Sequence, residues 1–177
     1  MRPSDSPESA PKYTSAVPGS DHSVIYTDES GRQWKYSGGS RPWRNSNPGN
    51  LVVGKVSKRN GAIGKAGGFA VFPNYEIGHA ALIDSLVNMH GNKDIPTLMY
   101  IYAPKKSNKT KKYIAFIRKQ TGVKGNKKIK DFTKNEFEKL WLAIEKMESW
   151  GTVFTIGFMV NLAHINESIR KRTILGK

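Results

Sequence analysis

The stretch from 133 to 151, TKNEFEKLWLAIEKMESWG, leaves the chain little choice of conformation. Phe137, Leu140, Trp141, Ile144 and Met147 recur at offsets of three and four, so one face of a helix is apolar and must be buried against the rest of the molecule. Thr133 and Glu136 make a capping-box signature, Asp131 adds negative charge near the positive end of the dipole, and Gly151 breaks the backbone at the far end. Glu148 continues the apolar stripe, four residues after Ile144 and seven after Trp141. A carboxylate in such a place is either neutralised by a partner or held protonated by its surroundings, and the second state is what a general acid needs. The competing reading is that Glu148 reaches solvent past Trp150 or pairs with one of the many lysines.

At 177 residues there is room for one domain with a proper core, and 37% hydrophobic with 24% charged residues describes a soluble globular chain. Without cysteine, nothing suggests disulfides, thiolate catalysis or a zinc-thiolate site. His22, His79, His90 and His164 show neither HExxH nor HxH spacing and read as surface or packing residues, so neither a metal nor another cofactor is expected. The net charge of +15 concentrates the protein on polyanions, among them nucleic acid, an anionic membrane surface and a bacterial cell envelope. No helix-turn-helix or zinc module accompanies that charge, so nucleic acid is not expected as the primary ligand. The opening residues MRPSDSPESAPKY lack the apolar segment of a signal peptide, and the most apolar run, Val153 to Ile165, is interrupted by Thr155, Gly157, Asn161 and His164, so no membrane insertion is expected.

Taken in order, residues 1–22 are rich in Ser, Pro and charge and read as a flexible leader or linker, followed by a single domain over 23–177. Val24 to Thr27 and Gln33 to Tyr36 flank the turn signal Asp28-Glu29-Ser30-Gly31 and predict a hairpin. Ser40 to Gly68 is dense in Gly, Asn, Pro and Ser; alone, its Asn-Pro-Gly-Asn run reads as a turn-rich loop stabilised by Asx turns, beside a cationic and aromatic surface from Arg41, Trp43 and Arg44. Phe69 to Phe72 predicts a short buried strand closed by Pro73. Helices are predicted from Asn74 to His90, with Glu76 in the first turn where the dipole favours a carboxylate, from Asp94 to Pro104, and from about Asn108 to Thr121. The lysines between Lys105 and Lys130 form the densest run of positive charge, as a solvated face or as an electrostatic footprint. An amphipathic helix is expected from about Gly157 to Arg172. The sum is a mainly α (α+β) domain with a small β-hairpin or two.

The segments WRNSNPGNL, GAIGKAGGFAVFPNYEIGHAAL, YIYAPKKSNKTKKYIAFIRKQTG and AIEKMESWG occur in an order that resembles a family of phage and bacterial toxin domains marked by an RNNNPGNL signature, a GFAVF strand before a Glu-x-Gly helix start, and a closing helix ending in Glu. The resemblance covers about residues 34–151. Asn45, Asn47 and Asn50 match the signature asparagines, and Glu76 and Glu148 match its glutamates. Two departures stand out: Lys105, Lys106 and Ser107 replace a Pro, a small residue and Glu, and Ser149 replaces Gly or Asn. The same pieces, in rotated order, also look like a circularly permuted form of the lysozyme-like arrangement of glucosaminidases and lytic transglycosylases.

What the resemblance implies is a peptidoglycan glycan-strand hydrolase of lysozyme or muramidase type, working as a phage lysis domain or as a bacteriolytic toxin carried by type VI secretion. On that reading Glu148 is the general acid, and Glu76 is the candidate partner, alongside water activation or assistance from the substrate acetamide. Asn45, Asn47 and Asn50 would hold N-acetyl and hydroxyl groups, with Tyr102, Tyr113 and Trp150 as further substrate-binding residues. The expected partners are peptidoglycan and an acidic immunity protein seated near Glu148; the expected state is a monomer delivered to the periplasm or cell wall of a target bacterium. The alternative is a non-catalytic basic module that grips peptidoglycan or nucleic acid by charge. A peptide amidase would need the thiolate or zinc cluster that this sequence lacks.

Overall fold

Asp28 is the nucleus of the predicted hairpin. In the computed structural model, which describes residues 11–102, 108–148 and 171–175, its buried carboxylate accepts five hydrogen bonds of 2.6–3.1 Å, from the Ser30 and Arg32 backbone, the Ser30 hydroxyl, Arg32 Nε and the Trp34 indole. These hold the turn between β2 (Val24–Asp28) and β3 (Gln33–Ser37), which pair antiparallel.

The hairpin is not the small element expected. β1 (Tyr13–Pro18) pairs antiparallel with β2, β6 (Lys171–Leu175) pairs antiparallel with β3, and β4 (Gly64–Ala66) pairs parallel with β1 and antiparallel with β5 (Phe69–Val71). The described residues thus form a six-stranded mixed sheet in the order β5-β4-β1-β2-β3-β6. A mainly α, lysozyme-like helical domain with a small β-hairpin, permuted or not, is therefore replaced by an α+β architecture. Three strands escaped the sequence reading, and β4, at three residues, is too short to show a period. In β1, assigned above to the leader, a bulge between Tyr13 and Ser15 leaves the buried residues Tyr13 and Ala16 three apart, which erases the period-two alternation of a strand. The helix expected over 157–172 lies outside the described residues except for Lys171 and Arg172, and these open β6, where β-branched Thr173 and Ile174 suit a strand.

The helices follow their caps. α3 (Tyr75–Asp84) opens at Asn74, whose Oδ1 accepts from the Ile77 N–H at 2.9 Å, and runs into one π-helical turn, Ser85–Met89. α4 (Ile95–Tyr102) opens at Asp94, which accepts from the Thr97 N–H at 2.9 Å; α5 (Asn108–Thr121) stops at Gly122, where φ is +75°. α6 (Lys134–Met147) carries the expected capping box: Glu136 N–H donates to Thr133 Oγ1 at 3.2 Å, and Thr133 N–H donates to Glu136 Oε2 at 2.7 Å. Two short helices, α1 (Arg41–Arg44) and α2 (Lys55–Arg59), lie within the Gly/Asn-rich region.

Leu82, Leu86, Leu98, Met99, Ile117, Leu140 and Ile144 are fully buried in the helical core. Each such side chain stabilises the fold by about 1.5–3 kcal/mol. A second cluster, including Val24, Tyr26, Trp34 and Val71, backs the sheet, and Ala70, Phe72 and Ala81 join β5 to α3. Among the described residues no helix is long and apolar enough to cross a membrane.

Candidate functional site

The site is built where the Asn-Pro-Gly-Asn loop lies over α3 and meets the end of α6. Gly78 makes the approach to α3: a Cβ there would stand 1.9 Å from the Ser46 carbonyl oxygen. On the other side the loop is stapled to the sheet. Asn45 Nδ2 donates to the Ala66 and Ala70 carbonyls at 3.1 and 3.2 Å, and Asn47 Nδ2 donates to Leu51 and Ala70 at 2.8 and 2.9 Å. Asn47 Oδ1 accepts from the Leu51 N–H at 2.9 Å, and both asparagines are buried. Unmaking such buried bonds costs about 1–3 kcal/mol per group left unpaired. Asn45 and Asn47, expected to hold sugar groups, are thus framework, their amides spent on the backbone.

Asn50 is different. Its Nδ2 donates to Glu148 Oε2 at 2.9 Å across 98 residues of sequence, and its Oδ1 accepts from Arg41 Nε at 3.2 Å. The Arg41 guanidinium lies 3.7 Å from the centre of the Phe69 ring, which fixes the far end of the relay. Trp43 packs on Tyr36 and Arg44 donates to the Gly38 and Gly39 carbonyls, so these neighbours of Arg41 are engaged with the fold.

Glu148 is the C-cap of α6, its N–H bonded to the Ile144 carbonyl at 2.8 Å. Burial pushes its carboxyl above the ordinary glutamate range; the Asn50 amide and the Arg41 charge pull the other way without cancelling it. Tyr102, at the end of α4, stands in the same field: burial first, then the Glu148 charge, push its phenol well above the ordinary tyrosine range, so it remains a protonated donor. The structure therefore brings together Glu148, Asn50 and Tyr102 of the expected residues, and adds Arg41.

Glu76 takes no part in that relay; it is exposed in the first turn of α3, where a carboxylate serves the helix dipole. Tyr113 packs half-buried against the helical core, and Trp150 lies outside the described residues. The carboxylate that the sequence reading missed is Glu145, one turn before Glu148 and only 6% exposed. Tyr75 Oη donates to both of its oxygens at 3.1 Å, and His79 Nδ1 lies 2.7 Å from Oε1. The His79 ring stacks on Tyr75 with centroids 5.5 Å apart and meets the Trp141 ring edge-on at 4.6 Å. Burial and the Glu145 charge push the Tyr75 phenol above its usual range, consistent with a donor held protonated. The available signal was the spacing of Trp141, Glu145 and Glu148 at i, i+4 and i+7, which sets the three in a row on one helix face. Among the described residues no group of three His, Asp, Glu or Cys side chains comes together as a metal site.

Compared with protein-family models, with curated proteins and with solved structures, the chain finds no match in any of the three. A shielded carboxyl with a raised pKa, oriented by an anchored amide, is equipped to deliver a proton.

Proposed function

We propose that this protein cleaves the glycan strand of peptidoglycan, with Glu148 as the general acid that protonates the departing glycosidic oxygen. The observation that carries the reading is the relay from Arg41 through Asn50 to Glu148: a carboxyl raised by burial, yet aimed by a hydrogen bond. Glycoside cleavage through an oxocarbenium-like transition state needs such an acid. The same glutamate and asparagine are among the residues that the motif resemblance matches, and the charge of +15 would hold the enzyme on an anionic wall.

The test is digestion of purified peptidoglycan by wild type and Glu148→Gln, with mass spectrometry of the released fragments. Wild type should release muropeptides, and the variant should be slower by about 10²–10⁴-fold, the usual range for loss of a general acid. Reducing or anhydro ends then name the reaction. Equal release by both proteins, or none by either, sinks the proposal. The second reading, a charge-held binding module, is favoured by the exposed Lys109, Lys111, Lys112 and Lys119 along α5. It predicts sacculus binding by both proteins, no fragments, and steep loss of binding with salt.

A further inference from the structure

Glu76 stands exposed on α3, outside the hydrogen-bonded relay of Arg41, Asn50 and Glu148, and a two-group glycan cleavage pairs the acid with a second residue. The cluster of Glu145, His79 and Tyr75 supplies one. Glu145 is buried, and its oxygens are taken by side chains of α3: the Tyr75 hydroxyl at 3.1 Å to each, and His79 Nδ1 at 2.7 Å. A carboxylate accepts, so Nδ1 donates, and the acceptor lone pair of a neutral imidazole is then on Nε2. Glu145 cannot itself reach a ligand, but it sets the tautomer and the angle of a ring that can. The His79 side chain is 24% exposed, and its contacts with Tyr75 and Trp141 hold the ring from two sides.

The placement relative to Glu148 follows from α6. Trp141, Glu145 and Glu148 share one face of that helix, so the ring that touches the first two lies between one and two turns, roughly 5–10 Å of axial rise, from the third. α3, which carries His79, also bears the loop of Asn50 through Gly78.

Resting on the glycan-hydrolase reading, we infer that His79 is the base of this site and Glu145 its positioning residue, so that cleavage inverts the anomeric centre. His79 Nε2 takes a proton from a water whose oxygen forms the new bond to the anomeric carbon. The bond from that carbon to the bridging oxygen breaks, its electron pair stays on the oxygen, and the Glu148 proton joins it. His79 then returns its proton to solvent and Glu148 regains one. Inverting chemistry places acid and base about 6.5–9.5 Å apart, leaving room for the water. The rise along α6 from the ring's two contacts, Trp141 and Glu145, to Glu148 brackets that gap.

The experiment uses soluble glycan-strand oligomers, the full-length protein, and the variants His79→Gln, His79→Ala and Glu145→Gln, each checked for its thermal unfolding midpoint. Wild type should give the inverted anomer in freshly formed product by NMR. His79→Gln and Glu145→Gln should fold normally and lose about 10²–10⁴-fold in kcat, as expected for a missing base. In Glu145→Gln the amide N–H can donate to Nδ1 and drive the ring hydrogen onto Nε2, removing the acceptor. His79→Ala should regain rate with added azide and yield a glycosyl azide of inverted configuration. A retained anomer, His79→Gln within threefold of wild type, or a lost activity that azide does not restore overturns the role of His79, while an inactive Glu148→Gln leaves the acid standing. A wild type that releases nothing overturns both.

Discussion

Asn50 sits at φ +50°, in the left-handed region that costs most side chains about 1–2 kcal/mol and that asparagine tolerates best after glycine. That backbone carries its amide between Arg41 and Glu148. Asn50→Gly accepts the same φ and deletes both hydrogen bonds, so it isolates the side chain from backbone strain. The amide lowers the Glu148 pKa, so its loss should raise that pKa further. A general acid works protonated and activity fails as it ionises, so the alkaline limb of the rate profile should move to higher pH, with peak activity down about tenfold. A pH series on peptidoglycan checks it; a limb that stays put or moves down would separate Asn50 from the acid. In the sequence the three asparagines of NSNPGN are equivalent donors. What sorts them is the carbonyls of Ala66 and Ala70, which only the folded sheet presents, with Leu51 as a local partner of Asn47.

At the scale of elements, α3 is the part on which the site stands. Gly78 passes under the loop with its missing Cβ only 1.9 Å from a backbone oxygen, a clash that no rotamer relieves. Overpacking of this kind costs about 1–3 kcal/mol or more. Gly78→Ala should therefore lower the thermal midpoint by roughly 5–10 °C, at about 2–4 °C per kcal/mol for a chain of this length. Activity should fall by a larger factor, because the shifted loop carries Asn50 away from Glu148. Circular dichroism melting beside a peptidoglycan assay checks both; an unchanged midpoint would deny the close approach. The four longer helices were legible because each carries a local signal: Asn74, Asp94 and Thr133 cap, Gly122 stops, and the apolar residues of α6 recur at three and four; α1 and α2, of four and five residues, are too short to stand out from the loop that holds them. The strands were less so. β4 has three residues, too few for a period, and β1 hides its pattern behind a bulge, whereas β5 was marked by its apolar run and the Pro73 that closes it.

For the molecule as a whole, acid stability turns on Asp28 and Asp84. Asp84 is gripped by Arg59 through two hydrogen bonds of 2.6 Å, with Asn88 and Asn60 adding donors, and this holds its carboxyl below the ordinary range; for Asp28 the Ser30 hydroxyl and the Trp34 indole lead. A depressed carboxyl contributes stability that is complete above the ordinary Asp value of 3.8 and is lost as pH falls through the lower folded value. Glu148 has the opposite sign: its raised pKa favours the fold at low pH, and that contribution is lost as pH rises through the folded value. The urea midpoint should therefore drop below about pH 4, and Asp84→Asn should show a lower midpoint at pH 7 with a shallower acid fall. Equal acid dependence in both proteins would show that the Arg59 grip is not formed. The charge balance is a sum over the sequence; the longer helices with their caps, the hairpin around Asp28 and the apolar setting of Glu148 also follow from sequence alone, because each depends on residues within a few positions of one another. The six-stranded sheet, the burial of Glu145 under His79 and Tyr75, and the choice of Asn50 over Asn45 and Asn47 as partner of Glu148 were decided only by tertiary structure. Each of these joins segments distant in sequence, where a hydrogen bond leaves no local pattern.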